Sequence, residues 1–238
     1  MWGWIVFLSG TSSVLLWMSR SQPFPEIGAR WAWAMLSVSG LLAIATQGSR
    51  QTNPDLAPII SATIGGLGVI LGVRYTSILK RDVLVSPFAS IWLATGTISL
   101  LSSGWSGYNQ NEQIVGFILV TAVTSLASFL LWKGLIIGVQ GITWSQASLR
   151  QLERGLIEGE RGAISMFENS WNVDENWLNA MSHAALMKLY KYQGNERKSN
   201  HHTKRLNRLG GIESVNRAWI KKIDFSIRHL KSSNHESE

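Results

Sequence analysis

The chain has 238 residues, no cysteine and a formal net charge of +7. Without cysteine it has no disulfide, no thiolate metal site, no iron–sulfur cluster and no cysteine nucleophile. Residues 1–144 carry eleven charged side chains and residues 145–238 carry the other twenty-six. An ion at the centre of a bilayer costs roughly 2.5–3.5 kcal/mol, so the scarcity of charge in the first part predicts a membrane domain.

Five apolar segments are candidate membrane helices, because a backbone that crosses lipid must be helical. We expect spans at about 2–18, 31–46, 57–73, 83–103 and 114–132, within a transmembrane domain of residues 1–141. Tryptophan and lysine at the ends of spans are typical of membrane–water interfaces. The predicted interfacial anchors are Trp2, Trp17, Trp31, Trp132 and Lys133.

Basic residues alternate between the loops that connect these spans. Loops 19–30 and 74–82 hold two and three, loop 47–56 holds one, and loop 104–113 holds none. Because cytoplasmic loops are enriched in Lys and Arg, the pattern predicts an N-terminus outside and a C-terminal tail in the cytoplasm. A re-entrant segment in place of one weak span is the alternative, and it would reverse part of this map.

Small and hydroxyl residues recur at helical spacing in the third and fifth spans. They permit close contact between helices, and we favour this packing over homodimerisation and over a polar pathway. The residues are Gly65, Gly68, Gly72, Thr121, Ser125 and Ser128. No charged residue or histidine lies near the middle of a span, whereas ion-coupled transporters and redox-cofactor spans usually carry one. We therefore predict no catalytic, cofactor-binding or metal-binding residue.

The charged tail, residues 142–231, has the pattern of a helical domain. Apolar residues at three- and four-residue steps predict one amphipathic helix from Leu149 to Phe167, with Ser145 or Ser148 as its cap. Asp174 is the predicted N-cap of a second helix, which Gly194 and Asn195 end. Further helices are expected over about 198–209 and 212–230, and residues 232–238 are expected to be disordered. Residues 134–141 either continue the fifth span into the tail or form a flexible joint.

Part of the tail, about residues 150–209, resembles a tetratricopeptide repeat. The residues that carry the resemblance are Ala163, Ile164, Phe167, Asp174, Tyr190, Gly194 and Asn195. The resemblance implies a helical hairpin with a surface that docks peptides or proteins. An irregular helical bundle is the alternative, since Glu175 stands where proline is usual and Ser199 and Thr203 replace the expected small and aromatic pair.

The histidines lie in the tail, outside every predicted span. His201 and His202 are adjacent and can bind a metal weakly, but no acidic or cysteine partner lies at ligand spacing, so we favour a solvated helix face. His183 is expected to be a packed helix residue.

Charge is also segregated within the tail, with a net charge of −3 over residues 145–187 and +9 over residues 188–231. A basic helix with aromatic residues can lie on an anionic leaflet, bind nucleic-acid phosphates, or bury its apolar side and leave its charges solvated. We favour the last of these. The candidate contact residues are Trp177, Tyr190, Arg205, Arg208, Arg217, Trp219, Lys221 and Lys222.

Together these patterns predict an all-α protein with a five-helix membrane bundle and a cytoplasmic helical domain. We predict a non-enzymatic scaffold, assembly factor or accessory subunit of a membrane complex. Its expected partners are membrane lipids and proteins that dock on the tail, and nucleic acid is not expected. The alternative is a small transporter or channel with a path along the glycines of the third span and the hydroxyls of the fifth. A third possibility is an enzyme that acts on lipids.

Overall fold

The computed structural model describes residues 1–49, 52–81, 84–172 and 174–235. Ten α-helices and no strand lie in these ranges, which confirms the all-α class for the described residues. Contacts divide the chain into two compact units, Met1–Val139 and Gln140–Glu238. Arg50, the one basic residue of loop 47–56, and Val83, the first residue of the predicted span 83–103, lie outside the described residues.

The first unit contains five helices that are long and apolar enough to cross a membrane. They are α1 (Trp2–Ser19), α2 (Pro25–Ala45), α3 (Leu56–Arg74), α4 (Val85–Gly104) and α5 (Gln110–Leu131). Short segments of different helical pitch follow three of them: Tyr75–Leu79 after α3, Trp105–Gly107 after α4 and Trp132–Ile137 after α5. The five candidate spans agree in number with the sequence prediction.

Two helices begin before the apolar runs that predicted them, because their first turns are polar. Helix α2 starts at Pro25, whose fixed φ suits a first helical position. Helix α5 starts at a capping box, in which Asn109 Oδ1 accepts the Glu112 amide and Glu112 Oε2 accepts the Asn109 amide, at 3.0 and 2.8 Å. The capping box satisfies backbone donors at the helix end.

Hydrogen bonds between helices join the first four helices of this unit. The indole Nε1 of the fully buried Trp92 on α4 donates to Thr11 Oγ1 on α1 over 2.8 Å. Ser61 Oγ on α3 donates to the Trp92 carbonyl over 2.8 Å, and Ser39 Oγ on α2 donates to the Ile5 carbonyl on α1 over 3.0 Å. In lipid such bonds stabilise helix association, because water cannot replace them.

Helix α5 combines the highest hydropathy of the five spans with the least burial. It packs on α4, and only Ala127 and Leu130 of its residues are buried. Large apolar side chains such as Phe117 and Ile118 are exposed around it. An apolar helix surface of this extent is compatible with a lipid environment and supports a membrane location for the unit.

The second unit contains α6 (Gly141–Glu153), α7 (Ala163–Glu168), α8 (Asn176–Tyr192), α9 (Glu196–Arg208) and α10 (Arg217–His235). Helix α8 is central and contacts each of the other four. Its apolar residues, such as Ala184 and Leu186, form a core with Leu152 of α6, Phe167 of α7 and Ile223 of α10.

The prediction of one amphipathic helix over 149–167 is wrong. The chain leaves the helix after Glu153 and re-enters it at Ala163, and Gly155 and Gly159 in between have φ of +78° and +94°. Positive φ is accessible to glycine at little cost, so the apolar periodicity continues across a real turn.

The predicted caps are also corrected. Helix α6 begins at Gly141, so Ser145 and Ser148 lie inside it rather than at its end. Glu175, not Asp174, occupies the N-cap position of α8, and it makes no side-chain capping bond. The Asp174 amide instead donates to Asn172 Oδ1 over 3.0 Å, which is an Asx turn before the helix.

The predicted junction and terminus differ in detail from the structure. The helical segment after α5 ends at Ile137, because Gly138 has φ +74°, so a continuous helix from the fifth span into the tail is wrong. At the other end α10 continues to His235, into the segment for which disorder was predicted. Residues 236–238 of that segment lie outside the described part of the chain.

Candidate functional site

A basic cleft opens on the second unit beside the turn that precedes α8. Its volume is about 380 Å³. The lining comes from this turn, from α8, and from α9 with the residue after it, and it consists of Trp171, Asn172, Asn179, His183, Arg205, Arg208 and Leu209. Arg205 and Arg208 are exposed, and neither forms a hydrogen bond or ion pair with the described residues.

A pair of hydrogen bonds fixes the turn that carries Trp171. The Asn179 side chain on α8 accepts the Asn172 amide through Oδ1 over 2.9 Å and donates through Nδ2 to the Asn172 carbonyl over 2.6 Å. One amide side chain thus satisfies both backbone groups of the residue after Trp171. The indole, which is 46% exposed, is therefore held at the edge of the cleft by a rigid local structure.

Two buried histidines pack against Trp171, and one of them, His183, also lines the cleft. His183 of α8 and His202 of α9 approach with their Nδ1 atoms 3.0 Å apart, so one imidazole donates an Nδ1–H to the other. The Trp171 ring lies 4.7 Å from the His183 ring between centroids, and the Tyr190 ring stacks on His202 at 5.5 Å. The expectation of a solvated His201–His202 face is wrong for His202, whereas His183 is buried as expected of a packed helix residue.

The histidine pair is neutral at neutral pH. Burial, and then the charge of Arg205 and the neighbouring His201, lowers the pKa of His183 to about 4. Burial, and then His183 and further basic neighbours including Lys198, lowers the pKa of His202 to about 4. These neighbours also disfavour a bound cation, and the described residues contain no group of three or more His, Cys, Asp or Glu suited to a metal.

Two of the predicted contact residues are part of the core instead. Trp219 is buried and donates its Nε1–H to the Met181 carbonyl over 3.3 Å. Tyr190 is buried and donates its hydroxyl to Glu168 Oε1 over 3.0 Å. Burial, and then this hydrogen bond, raises the pKa of Tyr190 to about 12. Neither side chain is available to a partner without opening the unit.

The other predicted contact residues of the tail are at the surface. Arg205 and Arg208 belong to the cleft, as described above. Trp177 is 53% exposed on α8 but does not line the cleft. Arg217, Lys221 and Lys222 are exposed on α10.

The predicted interfacial anchors fall into two groups. Trp2, Trp17 and Trp132 are each more than half exposed. Trp31 is partly buried in the core of the first unit, and its ring would lie 3.4 Å from a Cβ placed on Gly68. Lys133 lines a small cavity of about 210 Å³ together with hydroxyl residues that include Thr76 and Ser86.

The glycines of the third span pack against α4. A Cβ on Gly65 would collide with the Leu93 amide, and one on Gly72 would lie 2.5 Å from the Ser86 amide. A Cβ on Gly68 would lie 2.5 Å from Ala89 Cβ. The two backbones are therefore in close contact along this face, and α4 fills the space beside these three glycines.

The hydroxyl residues of the fifth span are exposed. Thr121 donates to the Phe117 carbonyl over 2.8 Å, and Ser128 donates to the Thr124 carbonyl over 2.9 Å, so both bond to their own helix. Ser125 lies exposed on the same helix.

Sequence reasoning identified the two arginines but missed the remainder of the cleft. Trp171 and Asn172 stand in a segment that the apolar pattern marks only as a break, and the Asn172–Asn179 pair has no recognisable spacing signal. His183 and His202 are nineteen positions apart, so only the packing of α8 on α9 brings them together.

Comparison of the chain with protein-family models, with curated proteins and with solved structures found no match. The class of protein is therefore described by its fold and its cleft alone. It is a helical protein with five candidate membrane spans and a second helical unit that carries a basic cleft.

Proposed function

We propose that the chain is a non-enzymatic membrane scaffold or accessory subunit whose second unit docks a partner protein on the cytoplasmic side. The observation that carries this proposal is the cleft, in which the guanidinium groups of Arg205 and Arg208 have no hydrogen-bond or ion-pair partner among the described residues. An exposed indole stands beside them at Trp171. Trp and Arg are the residue types that dominate the binding energy of protein interfaces.

The chemistry of the cleft selects an acidic segment of the partner. The lining residues include two cations and no carboxylate. Guanidinium groups bind carboxylates through paired hydrogen bonds, and an indole adds contact area for an apolar or aromatic side chain. The segment is therefore one in which acidic side chains stand next to an apolar residue.

Two further features support docking in this unit. Helices α8 and α9 pack against each other across a three-residue connection, residues 193–195, which is the kind of hairpin that the tetratricopeptide-like pattern implies. The distribution of basic residues between the loops predicts that this unit is cytoplasmic, where soluble partners are accessible.

Photo-crosslinking in the native membrane tests the proposal. The full chain carries p-benzoylphenylalanine in place of Trp171, and its adducts are identified by mass spectrometry. One double variant, Arg205→Gln/Arg208→Gln, removes the two cations of the cleft. The control double variant, Arg197→Gln/Lys204→Gln, removes the same charge from exposed positions of α9 outside the cleft. Neither pair of substitutions touches the core.

We expect a discrete partner adduct that persists in the Arg197/Lys204 control and is lost in the Arg205/Arg208 variant. The adduct site on the partner is expected to lie in an acidic segment. The docking role is wrong if no adduct forms, or if both charge variants reduce it equally.

A further inference from the structure

Helix α10 has an inward apolar face and an outward basic face. Trp219 and Ile223 are buried in the core, and Ile220, Ile227 and Leu230 pack against it. The opposite face is exposed and consists of Arg217, Ala218, Lys221, Lys222, Phe225, Arg228 and His229. At about 100° per residue these seven positions fall on one side of the helix, with Phe225 near the centre.

Phe225 is the unusual member of this outward face. Its side chain is 68% exposed although the helix has a well-filled apolar side. Lys221 precedes it by one helical turn and Arg228 follows it by nearly one turn, so cations flank the ring along the helix. An exposed aromatic ring with cations on both sides does not contribute to the core. Such an arrangement is typical of a surface that contacts lipid headgroups.

The positive charge of this face is not neutralised within the helix. Asp224 is the only carboxylate of α10 in the described residues, and it lies at the edge of the outward face. Its Oδ1 accepts from Lys188 Nζ of α8 over 2.7 Å, which pairs it with a residue outside the helix. Arg217, Lys221, Lys222 and Arg228 therefore give this face four positive charges against the single carboxylate of Asp224 at its edge, which is already paired with Lys188.

We propose that the outward face of α10 binds the anionic lipid headgroups of the membrane in which the chain is embedded, with Phe225 entering the headgroup region. Cations near an anionic surface each contribute attraction, and a buried aromatic ring adds to it.

The chain itself favours lipid over nucleic acid as the occupant. Only residues 138–140 connect the last candidate span to the second unit, and three residues reach about 10 Å at most. A bilayer crossed by the candidate spans is therefore tethered to the second unit through the chain, whereas a nucleic acid has to be recruited. This inference concerns a different surface from the docking cleft and holds or fails independently of it.

The absence of cysteine allows a site-specific test with the full chain in lipid nanodiscs. Phe225→Cys carries an environment-sensitive fluorophore, and Asn200→Cys, exposed on α9, carries the same fluorophore as a control. The nanodiscs contain either phosphatidylcholine alone or about one third phosphatidylserine, a composition that gives the surface negative potential. Quenching by lipids with a spin label near the headgroup reports contact directly.

With phosphatidylserine we expect the emission of the label at 225 to shift to shorter wavelength and to be quenched by the spin-labelled lipid. The label at 200 is expected to show neither change. High salt is expected to reverse the shift, because it screens charges at the surface. Lys221→Gln with Lys222→Gln should abolish the shift, whereas Arg197→Gln with Lys204→Gln should leave it.

Two results would overturn the inference. One is a label at 225 that stays in an aqueous environment in both kinds of nanodisc. The other is a response of that label to a short RNA without any response to phosphatidylserine, which would identify the face as a nucleic-acid surface.

Discussion

The buried His183–His202 pair makes the second unit sensitive to acid. The pKa of each imidazole falls from the ordinary 6.5 to about 4 in the folded chain. Between these pH values the unfolded chain holds more protons, so folding stability decreases as the pH falls. The free energy of unfolding is unaffected by the histidine above pH 6.5, where the imidazole is neutral in both states. It decreases progressively as the pH falls towards 4, by on the order of 3 kcal/mol for one histidine shifted this far.

Histidine-labelled NMR of the full chain in detergent micelles measures this directly. Two of the five imidazoles are expected to titrate near pH 4. His201→Ala removes an exposed ring whose charge is a smaller cause of both shifts than burial, so both transitions should remain well below pH 6.5. Titration of all five imidazoles near their ordinary pKa would contradict the buried pair.

At the scale of helices, the contact between α3 and α4 depends on individual glycines. A methyl group at Gly65 would collide with the Leu93 amide and lie 2.8 Å from the Ala89 carbonyl oxygen, both of which are backbone atoms. We expect Gly65→Ala to destabilise the first unit by about 1–3 kcal/mol, because backbone atoms cannot move aside as a flexible side chain can.

Gly66→Ala is the matched control for this substitution. A Cβ at Gly66 meets only Leu93 Cδ1, at an ordinary 3.8 Å. Unfolding of the full chain in mixed micelles with increasing SDS should show a loss of stability for Gly65→Ala and none for Gly66→Ala. Equal stability of the two variants would show that α3 and α4 are not in backbone contact.

The helices differ in how well the sequence predicts them. Apolar windows identified five candidate spans, because a helix that faces lipid must be apolar on nearly every side, as α5 is. The break between α6 and α7 was not predicted, since apolar periodicity continues through Gly155 and Gly159 and only a local positive φ interrupts the helix. A repeating pattern records which residues face the core, and it does not record whether the backbone between them is helical.

The cleft was predictable only in part, for a reason that lies in tertiary structure. Charge segregation marked Arg205 and Arg208 as surface cations. The contact of Trp171 with the histidine pair depends on the packing of α8 on α9, and on the Asn179 side chain, which fixes the turn at Asn172. The basic residues around Trp219 in the sequence also indicated a surface position for it, whereas its side chain is buried in the core.

For the whole molecule, the distribution of basic residues predicts the orientation in a membrane. The pattern predicts that Gly48 lies outside, Ser77 inside and Gly107 outside. Each position is suitable for a single cysteine in the full chain: Ser77 is exposed, Gly107 has open space around it, and Gly48 has only ordinary contacts. The parent chain has no cysteine and provides a blank.

A membrane-impermeant maleimide applied to intact cells should therefore label Gly48→Cys and Gly107→Cys. Ser77→Cys should react only after the membrane is permeabilised, and Asn200→Cys in the second unit should behave in the same way. Labelling of Ser77→Cys in intact cells would mean that a span is re-entrant and that the loop between α3 and α4 faces outward. Labelling of Asn200→Cys in intact cells would place the basic cleft and α10 on the outer side, away from cytoplasmic partners, and would contradict the proposed docking role.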